Sequence, residues 1–568
     1  MNTTRYALLH TDLIVSVVSQ YFEYQDDIYK FLFVNPNWAK MLVPVLWRSP
    51  IWKSPKSFQK FLHTLSEQHP PHANGTLVEK LTFKSYYNFL PPLFTMEALE
   101  LISLHCPNVQ YLTFDCLKPS RSSSLSYSIN TSSDLPPNIL ALLLKGFPNL
   151  VVFKGPKFNS MQWLGAGLTP MRKGFLPYIR SLRLSLDWRD LSIPFLLHDI
   201  GSHCPYIVAL DIITDVPEQT AKIIVDAFPN LTSFSCITVT FRALYILVSG
   251  LTKLTSLKLQ FGQDITDDRL LQICSRFPKL ESFSLLKGWD SLQSFIKPWS
   301  LIQQDTLNHL EFSHYNDLTN DMLLPIFQLC YNLSTLKLIH CPSISDSSIT
   351  YLSRHRGCHF KNLLIHYNYN ISDHGINNLA EHCGNLISFN LLECPKVTIK
   401  SLSQVIKQCR NLLEFYVSFN NKLTNGLVGC FNSFVNTNLL VFGNRYVCLD
   451  TSQISKTIDS SILLKLSICI PNLRKLDIRY PIKNVNPNAI LNFKQLEKLC
   501  IVPPSNLKRK HLSLLDSQHK RLKEIWFMTK DHPKIQQYIY ESELNNKNGI
   551  RMGGIGNANS KGLIGRGN

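Results

Sequence analysis

Apolar positions between residues 254 and 417 keep one template, Leu-x-x-Leu-x-Leu, with aromatic or aliphatic replacements. It occurs at Leu254/Leu257/Leu259, Leu280/Phe283/Leu285, Leu307/Leu310/Phe312, Leu333/Leu336/Leu338, Phe360/Leu363/Ile365, Leu386/Phe389/Leu391 and Leu412/Phe415/Val417. Successive first positions lie 26 or 27 residues apart throughout. The last two apolar places flank one polar residue, the period of a short strand that buries a single face. After Leu338, the stretch SISDSSITYLSRHRGC sets Ile344, Ile349 and Leu352 at helical or near-helical spacing. This predicts a helix, with Ser345 or Asp346 placed to cap it.

A strand and a helix repeated at a fixed period in the twenties is the signature of a leucine-rich repeat. The expected fold class is therefore an α/β solenoid, a leucine-rich repeat horseshoe in which each unit buries its apolar side against its neighbours. Looser copies start at Val78, Val109, Ile179, Ile207 and Leu231, and again at Leu473, Leu496 and Leu522. Near Leu150 and Leu439 the template is poor. The array is expected over 76–530, with irregular insertions near 116–148 and 440–470. Within the first of these, KPSRSSSLSYSINTSSDLPPN is rich in Ser and Pro and reads as a surface insertion or disordered loop. Residues 545–568 read as a disordered Gly/Asn-rich tail, which lacks the Gly-Lys-Ser/Thr of a phosphate loop. Polar strand positions expected on the concave side are Lys258, His309, Glu311, Lys337, His366, Asn390 and Tyr416. They are candidate contacts to a target, and their mixed charge names no ligand.

The cysteines change the picture only by exclusion. There are 15, spread along a 568-residue chain, so a dense disulfide scaffold is not expected and reduced thiols are. Cys330, Cys358, Cys383 and Cys409 precede the strand motif by two or three residues, and Cys341 and Cys394 follow it by three. Phe147, Phe228 and Phe277 take the pre-strand place in other copies, and Phe cannot replace a metal ligand. Zinc needs four converging ligands, whereas these residues recur once per repeat. Packed structural thiols are expected, with no metal and no cofactor. Cys330 and Cys341 should not pair. The net charge of +18 favours acidic partners or nucleic acid, but the Lys and Arg are scattered and no nucleic-acid motif accompanies them. No run of eighteen apolar residues suggests a membrane span, and MNTTRYALLHTDLIVSVVSQ reads as an amphipathic helix, not a signal peptide. A cytoplasmic or nuclear setting is expected, without a membrane and with nucleic acid unlikely as a partner.

Residues 6–52 lie outside the repeat. Leu13, Ile14, Val17, Val18 and Tyr21 keep helical spacing, YQDD interrupts it, and Ile28, Phe31 and Leu32 resume it. Trp38, Leu42 and Leu46-Trp47 form a third apolar stripe. Three such helices cannot bury this surface among themselves. The segment resembles an F-box in Leu9, Leu13, Ile14, Val17, Tyr21, Phe22, Asp27, Ile28, Leu32, Val34, Asn35, Trp38 and Leu46-Trp47. VNPNWAKMLVPVLWRSP is close to the form seen in fungal F-box proteins, while His10 stands where Pro is usual and Tyr24 near an expected Leu. With the Cys-containing type of repeat, the resemblance implies the non-catalytic, substrate-recognition subunit of a Skp–cullin–F-box ubiquitin ligase. It implies a Skp-type adaptor bound through Leu9, Leu13, Ile14, Val17, Tyr21, Phe22, Ile28, Leu32, Val34, Trp38, Leu46 and Trp47, and a target protein held by the repeats. The competing readings are a repeat scaffold or recognition protein with no ubiquitin role, its N-terminal helices a simple cap, and a nucleic-acid-associated solenoid.

Overall fold

The computed structural model describes residues 33, 36–50, 52, 55–66, 74–84, 96–115, 146–157, 178–185, 193–287, 292–417, 438–444, 460–481, 487–502, 521–522, 524–527 and 551–554. The chain divides into two compact units, Met1–Leu254 and Thr255–Asn568. Both are parallel sheets with intervening helices, an α/β solenoid of leucine-rich repeat type.

In the first unit two helices, α1 (Pro36–Arg48) and α2 (Pro55–Ser66), precede strand β1 (Lys80–Lys84). Then follow α3 (Met96–His105), β2 (Tyr111–Asp115), β3 (Val152–Lys157), β4 (Ser181–Ser185), α4 (Ile193–His203), β5 (Ala209–Ile212), α5 (Glu218–Ala227), β6 (Ser233–Val239) and α6 (Phe241–Gly250). Consecutive strands pair in parallel, and the register puts Leu81, Leu112, Phe153, Leu182, Leu210 and Phe234 side by side in the core. A strand forms after Leu150, although the template is poor there. Buried Leu150 and Phe153 supply its two essential apolar anchors.

Aromatic packing joins the helices to the sheet. Trp52 lies against Phe58 (5.0 Å between ring centroids) and stacks on Phe83 of β1 at 4.9 Å, and Phe83 stacks on Phe114 of β2 at 4.8 Å. Trp47 meets Phe61 of α2 at 5.8 Å. The backbone carbonyl of Arg48 accepts from Glu79 N–H at 2.9 Å, which fixes the end of α1 at the start of the first repeat.

The second unit runs β7 (Ser256–Phe261), α7 (Asp267–Ile273), β8 (Ser282–Leu285), α8 (Gln293–Ile302), β9 (His309–Ser313), α9 (Asn320–Leu329), β10 (Thr335–Ile339), α10 (Asp346–Arg356), β11 (Asn362–His366), α11 (Asp373–His382), β12 (Ser388–Leu392), α12 (Ile399–Gln408) and β13 (Glu414–Val417). Parallel strands continue with β14 (Val441–Asn444), β15 (Lys475–Pro481), β16 (Lys498–Val502), β17 (Glu524–Phe527) and β18 (Arg551–Gly554); α13 (Ser460–Cys469) and α14 (Pro487–Leu491) lie on either side of β15. Strand β18 falls inside the expected tail. Likewise β14 and α13 fall inside the expected 440–470 insertion, so regular elements flank its centre, while residues 116–145, 445–459 and the rest of the tail lie outside the described residues. The template residues form the core: Leu257, Phe283, Leu310, Leu336, Leu363, Phe389 and Phe415 are in register and buried.

Two side-chain ladders hold successive repeats of this unit in step. An acid or amide in the first turn of one helix receives the N-terminus of the next. Asp267 accepts from Ser294 N–H (2.6 Å) and Phe295 N–H (2.9 Å), and Asn320 accepts from Ser345 N–H (3.0 Å) and the Ser348 hydroxyl (2.7 Å). Asp346 accepts from Ser372 N–H (2.7 Å), and Asp373 from Thr398 N–H and the Thr398 hydroxyl (both 2.6 Å). These bonds satisfy donors that a helix start otherwise leaves without partners. The expected cap at Ser345 or Asp346 is thus corrected. The Ser345 side chain does not cap α10, and Asp346 caps the helix of the following repeat.

The second ladder lies where each strand ends. Asn368, fully buried, donates from Nδ2 to the carbonyls of Leu338 and His366 (both 3.0 Å) and accepts from Cys341 N–H at 2.8 Å. Cys341 and Cys394 take the same place in their repeats, with Sγ 3.7 Å from Ile339 O and 3.6 Å from Leu392 O respectively. The residue just before the Asn or Cys, or before the equivalent Tyr315, is left-handed: His314, His340, Tyr367 and Glu393 have φ of 57°, 55°, 56° and 54°. Four non-glycine residues in that region mark a turn imposed by the stacked backbone. Cys330, Cys383 and Cys409 end α9, α11 and α12 and are buried. Burial pushes their thiols, and those of Cys341 and Cys394, up to about 12. Cys358 departs from the expected packing and is exposed. Gly357 occupies the buried place before Phe360, where a Cβ would lie 2.5 Å from His382 O, and the cysteine is moved one residue outward.

Candidate functional site

The strand residues singled out above converge on the open face of the second unit. Parallel register aligns Lys258, Ser284, Glu311, Lys337, Leu364, Asn390 and Tyr416 as one row across β7 to β13. Alternation along a strand sends these residues to the face opposite the leucines. His309 sits on the same face two residues before Glu311, and His366 two residues beyond Leu364. His366 Nε2 lies 3.1 Å from Asn390 Oδ1.

Burial separates these residues. Lys258, Lys337, His309 and His366 are half-buried, whereas Glu311, Asn390 and Tyr416 are buried. Tyr416 lies beneath the ammonium of Lys475, 3.3 Å from its hydroxyl. Glu311 is the hub of the row. Its carboxylate lies 3.8 Å from His309 Nε2, 4.0 Å from Lys258 Nζ and 3.5 Å from Lys337 Nζ, and accepts from the Ser284 hydroxyl at 3.4 Å. Burial opposes its ionisation, but His309, Lys258 and Lys337 together outweigh that and lower its pKa to about 2. The acid is therefore spent inside the fold, orienting two lysines and a histidine toward solvent. Sequence patterning placed Glu311 among the outward polar residues. What it lacked is that three cations from two other strands and its own close over the carboxylate.

The row can bind by charge and hydrogen bonding. Among the described residues no cluster of three or more His, Cys, Asp or Glu has metal-holding geometry, and no helix is long and apolar enough to cross a membrane.

At the other end of the chain, Leu9, Leu13, Ile14, Val17, Tyr21, Phe22, Ile28, Leu32 and Val34 lie outside the described residues. Trp38 falls within α1, and Leu46 and Trp47 are half-buried in its last turn. Leu42 is buried.

No family model matches the chain, and no curated protein does. Among solved structures, a chain of the crystal structure of the Rad7 and Elc1 complex in yeast is similar at 17% sequence identity and a TM-score of 0.39, over 60% of this chain and 85% of that one.

Proposed function

We propose that this protein is the substrate-recognition subunit of a Skp–cullin–F-box ubiquitin ligase, with residues 6–52 docking a Skp-type adaptor and the strand face of the repeats holding a target protein. The observation that carries the reading is the match of the N-terminal segment to the F-box pattern, ending in Trp38 and Leu46-Trp47, directly ahead of a leucine-rich repeat solenoid. Helix α1 forms over that matched end, and its last turn is tied to the first repeat through Arg48 and Glu79. A subunit that brings a target to a ubiquitin-loaded enzyme needs its adaptor segment and its repeats joined in one chain. Such a subunit needs no nucleophile, since proximity raises the effective concentration of lysine and thioester.

A second reading has its own observation. The Trp52–Phe58–Phe83 cluster makes α2 a cap on the open edge of the first strand, which a solenoid needs whatever its function. On that reading the chain is a repeat scaffold without a ubiquitin role. Co-purification decides between them. The ligase reading expects adaptor and cullin to accompany the full chain and to be lost with Ile14→Asp/Val17→Asp, while the repeats keep their circular dichroism. Unchanged co-purification with the variant, or none with the parent chain, rejects it.

A further inference from the structure

The strand face of the second unit carries more information about its occupant than mixed charge alone. Glu311 is buried and committed to its neighbours, so the residues that reach solvent around it are Lys258, Lys337 and His309, with side chains 42%, 35% and 26% exposed. Each lysine faces Glu311 through one ammonium, which has three donors. One strand beyond Lys337 the row turns apolar at half-buried Leu364, with half-buried Ile339, two residues beyond Lys337 on β10, diagonal to it. The face therefore reads, from β7 to β11: cation, small hydroxyl, buried acid, cation, apolar.

Resting on the reading of this face as target-binding, we propose that its occupant is an extended, acidic segment of a partner protein, lying across the strands, with two carboxylates four residues apart and an apolar side chain two residues further on. The spacing follows from the register. Lys258 and Lys337 are three strands apart, about 14 Å at about 4.8 Å per strand, which an extended chain covers in about four residues at about 3.3 Å each. Leu364 is one strand further, and the nearest residue on the same side of an extended chain is two along. Residues i, i+4 and i+6 of such a segment all face the sheet. Either chain direction satisfies the geometry, since the contacts are made by side chains.

The same row argues against a nucleic-acid strand. A phosphate backbone carries charge at every step and would pass over the Glu311 carboxylate, whereas a peptide leaves neutral residues there. Single-stranded nucleic acid also calls for aromatic platforms interleaved with the cations, and the positions from Lys258 to Leu364 hold none.

The test is selection of a phage-displayed random 12-residue peptide library on the immobilised full chain. The expected result is enrichment of Asp or Glu at two positions four apart, with Leu, Ile, Val or Phe two beyond, in either direction. Lys258→Glu should replace the outer acid by Lys or Arg, and Lys337→Ala should remove the preference at the inner one. Both substitutions are at partly exposed side chains; each weakens the Glu311 network and lowers the thermal midpoint, so a retained circular dichroism spectrum and a single cooperative unfolding transition confirm an intact fold. Peptides without acidic spacing, or the same peptides from parent and variants, overturn the proposal. So does a twelve-residue oligothymidylate that binds the parent chain and is lost with Lys337→Ala, which assigns the face to nucleic acid. Adaptor co-purification depends on residues 6–52 and is read separately, so a failed selection with the adaptor retained rejects the acidic partner and leaves the ligase reading standing.

Discussion

Replacing Asp373 by Ala breaks one rung of the helix-capping ladder and should be felt in the next repeat. Its carboxylate, in the first turn of α11, accepts from Thr398 N–H and the Thr398 hydroxyl at 2.6 Å each, and from the Ser401 hydroxyl at 2.5 Å. Ser401 is fully buried and retains a second acceptor, Thr398 O at 3.1 Å, whereas Thr398 N–H has no other acceptor among the described residues. Loss of a cap costs about 0.5–2 kcal/mol, and an orphaned, partly buried N–H about 1–3 kcal/mol. The two overlap, so about 2–3 kcal/mol is expected for Asp373→Ala. Asparagine is the internal control. Asn320 performs the same task, with Oδ1 accepting from Ser345 N–H and the Ser348 hydroxyl and Nδ2 donating to the Ser345 hydroxyl. Asp373→Asn should therefore cost less than about 1 kcal/mol, the mild end of ordinary substitutions. Native-state hydrogen exchange reads both: a loss of about 2 kcal/mol speeds amide exchange about 30-fold, and it should do so in α12 rather than in α11, which carries the substitution. Equal effects of Ala and Asn, or loosening confined to α11, would refute the ladder as the source of coupling between repeats.

Other consequences can be measured separately. Leu336→Ala, at a fully buried core position, should cost about 2–5 kcal/mol, with faster exchange concentrated in β9, β10 and β11 and little change beyond. Glu311 titrates below its ordinary value, so its network stabilises the fold fully above about pH 4.5 and loses that contribution as pH falls toward about 2. In acid unfolding, Glu311→Gln should abolish a pH-dependent contribution on the order of 2–3 kcal/mol across that window. Cys341→Asn should be tolerated, because Asn368 fills the same place in the next repeat, and elemental analysis of parent and variant should show no bound zinc. A brief iodoacetamide pulse mapped by mass spectrometry should label Cys358 while sparing Cys330, Cys341, Cys383, Cys394 and Cys409, whose buried thiols stay protonated.

The repeat was legible because its core is written locally: one template supplies both the strand and its buried face, and Leu333, Leu336 and Leu338 are buried in the order their spacing implies. The buried cysteines at helix ends and turns were legible for the same reason, but Cys358 was not, because Gly357 takes its buried place, and the hydrogen-bonding duty that Asn368 shares with the Cys341 position emerges only from the structure. What escaped depends on stacking between repeats. Asp346 reads as the cap of its own helix, and only the offset between neighbours shows that it serves Ser372. The left-handed turn residues carry no glycine to betray them; His314, His340 and Tyr367 are held there by backbone bonds to the next strand, from His314 N–H to Ile339 O (2.7 Å) and correspondingly for the others. Glu311 lies in a row that alternation correctly turns outward, yet its burial under Lys258, Lys337 and His309 requires the register of separate strands. Of the candidate adaptor face, only Leu46 and Trp47 are placed as side chains.

On the proposed function, the N-terminal segment binds a Skp-type adaptor. Mixing the purified full chain with a purified Skp-type adaptor and measuring the complex mass by light scattering after size exclusion tests it with two components and no cell extract. The expected result is a complex of one chain with one adaptor, absent for Ile14→Asp/Val17→Asp at unchanged thermal midpoint. A parent chain that elutes alone at concentrations well above micromolar, or a variant that still carries the adaptor, contradicts it.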